Sequence, residues 1–235
     1  MKTKKAYKGM PMEGVVARWY AGITDKEERH KLVADRLAVK IPPGSHVLEI
    51  APGPGYFAIE LARLGDCPSP VWVSRNAEAR TGEGSITGLD ISKTFVEIAQ
   101  KNARQAGVIV DFQHGNASDM PFANGSFDFT FCQAAFKNFT EPVKAIAEMY
   151  RVLRPQGRSV IIDLRRDATQ TEIERHIESL GLGGINRLMT KWTFQSFLLK
   201  NAYTIAEMEA FVSQTPFQEC RVEADEIGFT LWLEK

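Results

Sequence analysis

The residue types that announce a special architecture are sparse in this chain. Three cysteines, Cys67, Cys132 and Cys220, are scattered over 235 residues, an odd set that argues against a disulfide framework and suits the reduced thiols of a cytoplasmic protein. The four histidines, His30, His46, His114 and His176, lack zinc-ligand spacing, so no metal is expected. Net charge is absent as well: 29 basic and 29 acidic residues cancel, and no overall field draws the chain to nucleic acid or an anionic membrane. No run approaches 18 apolar residues, and Met1-Lys2-Thr3-Lys4-Lys5 has no apolar stretch behind it, so neither a membrane span nor a secretory signal is expected. There is no internal repeat or low-complexity tract. What is present is 44% hydrophobic and 25% charged, enough to bury one full-size core, and the expectation is a single domain over residues 1–235.

Val47-Leu48-Glu49-Ile50-Ala51-Pro52-Gly53-Pro54-Gly55-Tyr56-Phe57 is the most informative segment. An apolar run ending in an acid, followed by alternating small residues, reads as a strand, a tight glycine turn and a helix start. Gly53 and Gly55 let backbone approach a ligand, and the helix beginning near Tyr56 offers a positive end. The segment Gly53–Ala58 also satisfies the dinucleotide pattern G-x-G-x-x-G/A. However, Pro52 and Pro54 have no N–H to give a pyrophosphate, and Glu49 places a carboxylate at the strand end. S-adenosylmethionine has no phosphate, and its ammonium and sulfonium suit that acid.

The further landmarks arrive in order. Ser85–Asp90 reads as a second strand whose terminal Asp90 stands where a carboxylate accepts both ribose hydroxyls. Ser92 caps a helix with Phe95, Ile98 and Ala99 on one face. Val108–Phe112 reads as a third strand, and Asn116 follows with a donor and an acceptor for an adenine edge. Ser126–Cys132 and Arg158–Leu164 read as strands four and five.

Together these residues resemble the class I S-adenosylmethionine-dependent methyltransferases. The E/D-x-G-x-G-x-G loop stands as Glu49–Gly55 and the second-strand acid as Asp90. The G-D/N-A-x-x-[ML]-P-F block stands as Gly115–Phe122, the S-F-D strand as Ser126–Asp128, and E-M-x-R-V-L-x-P-G-G as Glu148–Gly157. The likeness covers about residues 45 to 165. It implies a doubly wound α/β fold with a seven-stranded, mostly parallel sheet ending in an antiparallel hairpin, S-adenosylmethionine as cofactor, and a small-molecule acceptor. Carried onto this sequence, it implies cofactor contacts at Glu49, Ala51, Gly53, Gly55, Tyr56, Asp90, Ile91, Asn116, Ala117 and Gln133. Three departures are visible. Ala51 replaces the first loop glycine, Gln156 replaces a glycine after Pro155, and Asn116 stands where many members have Asp.

Outside the motifs, residues 1–40 read as an N-terminal cap segment, irregular to residue 24, with a Thr24-x-x-Glu27 capping box opening a helix to about Val39. Trp19 and Tyr20 either line the cover of the pocket or pack on the sheet. Thr140 is expected to cap a helix from Glu141 to Leu153, with Pro142 in its first turn. A second capping box, Thr204-x-x-Glu207, precedes strands at Glu219–Ala224 and Ile227–Leu233, joined by a tight Asp225-Glu226 link. Asp90 follows Glu49 by 41 positions, whereas the second acid normally lies about 20 residues after the glycine loop, so residues 66–84 are expected to be a surface insertion. Residues 167–203 read as a helical substrate lid. Substrate candidates are Trp19, Tyr20, Phe136, Lys137, Asn138 and Arg165, with Arg166 and Asp167 beside them. Phe136-Lys137-Asn138-Phe139 resembles the arginine-asparagine stretch of the ubiquinone and menaquinone C-methyltransferases. Lys137 is expected either to orient an anionic substrate or to be a solvated loop lysine. Arg165 and Arg166 either bind an anion or pair with Asp167 and nearby acids. Methyl transfer is an in-line displacement that needs positioning and water exclusion, so no catalytic base is assigned. The sequence does not give the oligomeric state. Two other readings remain: a nicotinamide-dependent oxidoreductase, and a protein that binds adenosylmethionine or a partner without turnover.

Overall fold

Strand β1 (His46–Ile50) is apolar at consecutive positions because both of its faces are covered, as in parallel sheets generally. In the computed structural model, which describes residues 7–8, 12–25, 27–66, 84–179 and 199–235, it lies at the middle of a seven-stranded sheet. The other strands are β2 (Ser85–Asp90), β3 (Asp111–His114), β4 (Phe127–Gln133), β5 (Leu153–Leu164), β6 (Arg221–Ala224) and β7 (Gly228–Glu234). Their order is β3-β2-β1-β4-β5-β7-β6. Strands β1 to β5 run parallel, whereas β7 is antiparallel to both β5 and β6. The chain leaves β1 toward β2 and later returns to its other side as β4, so the order reverses there. Such a reversal opens a crevice at the carboxyl ends of the strands.

Among the described residues, seven α-helices flank the sheet: α1 (Gly14–Thr24), α2 (Glu27–Ala38), α3 (Tyr56–Asp66), α4 (Lys93–Ala106), α5 (Pro142–Val152), α6 (Gln170–Ser179) and α7 (Ile205–Val212). Alternation along the strands sends Val47, Phe129, Phe131 and Val160 to one face, against Ala34, Leu37 and Ala38 of α2 and Leu61 of α3. Ala58 of α3 and Ala99 and Ala103 of α4 close the same side around Phe112. Leu48, Ile50, Cys132, Ile161 and Leu231 face the other way, onto Ala145, Ile146 and Met149 of α5 and Met208 and Val212 of α7. Each such Leu, Ile or Phe contributes about 1.5–3 kcal/mol on burial, so the double covering fixes the register of every central strand.

Local rules placed most elements and missed some ends. Ser92 caps α4 through Phe95 N, and Gly107, at φ 71°, terminates it. The Thr204/Glu207 box forms in both directions, with Thr204 Oγ1 accepting from Glu207 N and Glu207 Oε2 accepting from Thr204 N. The N-terminal segment is not irregular throughout: α1 occupies its second half. Thr24 ends that helix and donates to Tyr20 O at 2.8 Å; position 26, just before α2, lies outside the described residues. The residue preceding α5 is Glu141, which makes no capping bond, and Thr140 does not serve. The third strand starts later than the apolar run suggests, at Asp111, because pairing with Thr87–Asp90 sets its register. The final link is Asp225–Ile227, whose Asp225 carboxylate accepts from Ile227 N and Gly228 N. Residues 67–83 of the expected insertion and 180–198 of the expected lid lie outside the described residues. Among the described residues, no helix is long and apolar enough to cross a membrane.

Candidate active site

The glycine turn after β1 is built from three residues with left-handed backbone: Ala51 (φ 58°), Gly53 (φ 55°) and Gly55 (φ 83°). The two glycines do different things. A Cβ on Gly55 would lie 2.6 Å from Phe112 Cζ and 2.8 Å from Ala99 Cβ, so the absence of a side chain at Gly55 permits α3 to pack on α4 and β3. A Cβ on Gly53 would meet nothing within 4 Å. Gly53 therefore borders open space, as a backbone that approaches a ligand must.

Asp90 ends β2 and faces that turn. Its Oδ2 accepts from Gly53 N at 2.9 Å and its Oδ1 from Ser92 N at 2.8 Å. Burial, at 5% exposure, pushes its carboxyl up to about 6; the two N–H donors pull it down, and Glu13 raises it again. Glu49 is buried beneath the turn, with Oε2 accepting from Ala58 N in the first turn of α3 at 3.0 Å. Burial takes it to about 8, against the Ala58 donor and with a further rise from Asp90. Glu49 is thus held protonated near neutrality while Asp90 ionises above about pH 6, and a cation bound beside them would favour the ionised form of both.

Four other residues surround this centre. Asn116 Oδ1 accepts from Ser118 N at 3.0 Å, so its oxygen holds the turn after β3 while its amide nitrogen is a donor. Ala117 packs on the main core. Ile91, next to Asp90, is 39% exposed, an apolar surface suited to a heterocycle. Gln133 ends β4, and its Oε1 is buried with no hydrogen-bond partner among the described residues. Such an orphan acceptor requires a donor to offset its desolvation. The ammonium of S-adenosylmethionine is a donor of that kind, and the open flank of Gly53, the paired donors on Asp90 and the apolar Ile91 fit its remaining parts.

The N-terminal segment clasps this region. Ser92 Oγ donates to Met12 O, and the Glu13 carboxylate accepts from Lys93 N, Thr94 N and Thr94 Oγ1 at 2.5–3.1 Å, an acid at the positive end of α4. Tyr56 Oη donates to Ala21 O at 2.9 Å, and the Tyr20 ring meets Phe95 edge-on. Trp19 faces outward at 64% exposure and does not line the cover.

The substrate candidates divide. Phe136 is fully buried in the core and packs on Phe139 and Tyr203, so it lines no cleft. Lys137 is neither a solvated lysine nor a free cation. Its Nζ lies 2.8 Å from Asp163 Oδ1 and also donates to Ala134 O, its backbone N donates to Asp163 Oδ2, and both side chains are buried. Arg165 is paired with Glu172 at 2.6 Å and Asp167 at 3.5 Å and donates to Asp225 O and Glu226 O, which ties β5 to α6 and the β6–β7 link. Arg166 pairs with Glu207. Asn138 offers its backbone oxygen to Lys8 N at 2.8 Å.

Two residues were missed. Asp163 is the lone acid in the apolar run Val160–Leu164, a signal that was available. Tyr7 forms an antiparallel bridge with Phe139, and its phenol is raised to about 12 by burial, Tyr20, Asp90 and Asp163 in that order. Nothing in its lysine-rich segment marks it. Among the described residues there is no cluster of three or more His, Cys, Asp or Glu that could hold a metal.

Residues 48–161 match the family model described as a methyltransferase domain. The chain is 35% identical over 98 residues to the demethylmenaquinone methyltransferase of Bacillus velezensis, an alignment covering 41% of this chain and 42% of that protein. The match thus spans about two fifths of the curated relative. A SAM-dependent methyltransferase from Aquifex aeolicus superposes with a TM-score of 0.64 at 16% identity, over 92% of this chain and 97% of that one. The [4+2]-cyclase SpnF superposes with a TM-score of 0.52 at 20% identity, over 89% and 80% respectively. Likenesses at these identities establish the fold, and the cyclase shows that the fold by itself does not dictate the reaction.

Proposed function

We propose that this chain, a class I S-adenosylmethionine-dependent methyltransferase, methylates a ring carbon of a hydroxylated aromatic small molecule, of the hydroquinone type. The observation that carries the cofactor half is Asp90, held by Gly53 N and Ser92 N beside the open flank of Gly53. The acceptor half is supported by the similarity to demethylmenaquinone methyltransferases. When bound, S-adenosylmethionine supplies an electrophilic methyl on a sulfonium. The chain's own residues then have three tasks. Asp90 accepts from the ribose, Asn116 and Ile91 receive the adenine, and Glu49 and Gln133 lie on the side of the ammonium. A quinone ring is electrophilic, so the acceptor must arrive reduced for its carbon to attack a methyl cation equivalent. Buried, paired Lys137 and Asp163 keep the loop after β4 in place and leave the reacting space to the acceptor.

Calorimetry with S-adenosylmethionine tests the cofactor assignment. Asp90→Ala loses two charge-assisted bonds of roughly 1.5–3 kcal/mol each, so affinity should fall at least tenfold while the fold persists. Unchanged affinity in that folded variant would remove Asp90 from the site. Stabilisation by NADH in place of S-adenosylmethionine would favour an oxidoreductase. Incubation with methyl-labelled cofactor and a short-chain demethylmenaquinol should give a labelled ring carbon, and label on oxygen would refute the proposed acceptor atom.

A further inference from the structure

Tyr7 stands at the seam between the two halves of the candidate site. The strap that carries it is tied to the loop after β4, through the Tyr7–Phe139 bridge and the bond from Lys8 N to Asn138 O. Lys8 continues the tie, its Nζ bonding to the Tyr203 hydroxyl and lying over that ring, and Tyr203 in turn is bridged to Arg165 at the end of β5. The strap therefore sits on the β4–β5 side, away from the turn after β1. Yet the Tyr7 phenol is within electrostatic reach of Asp90 on β2, of Asp163 on β5 and of Tyr20 on the cover helix. A group that senses both the ribose acid and the end of β5 lies where donor and acceptor must meet. Its hydroxyl makes no hydrogen bond to any described residue, although the residue is half-buried.

We propose that the Tyr7 hydroxyl donates a hydrogen bond to a ring oxygen of the methyl acceptor, adjacent to the carbon that is methylated. This rests on the hydroquinone reading above. A phenol raised to about 12 by burial and neighbouring acids stays protonated throughout the working pH range, so it acts as a donor and never as the base. Donation fixes the ring with its carbon toward the methyl, and the contact acts by positioning, because the oxygen gives up electron density as the carbon attacks. The ring carbon supplies the electron pair of the new carbon–carbon bond, the pair of the broken carbon–sulfur bond stays on sulfur, and the displaced ring proton passes to water. No oxidant is required.

The test is Tyr7→Phe, which keeps the ring and the strap and removes only the hydroxyl. Labelled-methyl turnover of short-chain demethylmenaquinol should fall about tenfold in kcat/KM, the upper range for a lost neutral hydrogen bond that orients the ring. S-adenosylmethionine affinity by calorimetry should remain within about twofold. A fivefold or larger loss of cofactor affinity would overturn the proposal and give the phenol to the cofactor, and unchanged kcat/KM would overturn it outright. A second readout is independent of turnover. Anaerobic binding of 1,4-dihydroxynaphthalene to the enzyme saturated with S-adenosylhomocysteine should be about tenfold weaker in Tyr7→Phe. If the wild type binds this probe with that difference but transfers no methyl, the Tyr7 contact stands and the methyl-transfer reading falls. Equal binding by the two proteins overturns the Tyr7 contact.

Discussion

Replacing Lys137 by methionine separates a buried strut from a solvated lysine. Lys137 and Asp163 are both buried, and the Asp163 carboxylate accepts from Lys137 Nζ at 2.8 Å, Lys137 N at 2.9 Å and Leu164 N at 2.8 Å. Methionine fills the space of the stem but removes the ammonium, leaving a buried carboxylate with only two backbone donors. Breaking one side of such a pair costs about 3–5 kcal/mol. For a chain of this size about 2–4 °C of melting temperature follows each kcal/mol, so the drop should be roughly 6–20 °C, with the midpoint of urea unfolding lowered at constant slope. Converting Asp163 to asparagine in the same protein removes the stranded charge; its single oxygen can accept from only one of Lys137 N and Leu164 N, which the two carboxylate oxygens serve separately, so about half of the loss should return. A single-variant loss below about 1 kcal/mol would match an exposed lysine and refute the strut. No recovery in the double variant would mean that the damage came from the missing stem contacts and not from the charge.

Other outcomes follow from the turn and the buried acids. Gly55→Ala forces a Cβ to 2.6 Å from Phe112 at a left-handed position and should cost about 2–5 kcal/mol in denaturant unfolding; Gly53→Ala, facing open space, should lose only about 1–2 kcal/mol while cutting cofactor affinity at least tenfold, and the reverse pattern would exchange their roles. Ala51→Gly relieves an L-residue at φ 58° of about 1–2 kcal/mol, partly offset by unfolded-state entropy of about 0.4–1 kcal/mol, so the melting temperature should rise by up to about 6 °C; a fall would contradict the strain. Glu49 and Asp90 are raised to about 8 and about 6, above their ordinary 4.5 and 3.8. Each therefore stabilises the ligand-free fold fully below its ordinary value and loses that contribution as pH climbs through its folded value, so melting temperature should decline from about pH 4 to 8, and Asp90→Asn should erase the lower step. Cofactor affinity should run the other way, strengthening as pH rises through 6 because the ribose donates to ionised Asp90; profiles flat in both measurements would dismiss the buried acids as titrating groups.

The turn after β1 and the acid that faces it were legible in the sequence because their signals are local. An apolar run ending in Glu49, glycines two apart and an acid at the end of the next strand are adjacent in the chain, and parallel pairing of Ile50 with Leu89 brings their ends together wherever this unit folds. The Ser92 and Thr204 caps are likewise settled within four residues. Only the tertiary structure decided what each group has as a partner. Gly53 and Gly55 look alike in the sequence, and their division of labour depends on Phe112, which arrives from β3. Lys137 looks like a loop lysine until β5 places Asp163 beneath it, and Arg165 looks available until α6 and the β6–β7 link take up its donors. Tyr7 has no local signature at all. Its position comes from the bridge to Phe139, a pairing between residues 132 positions apart in the chain, and no periodicity or spacing in the sequence encodes so distant a contact.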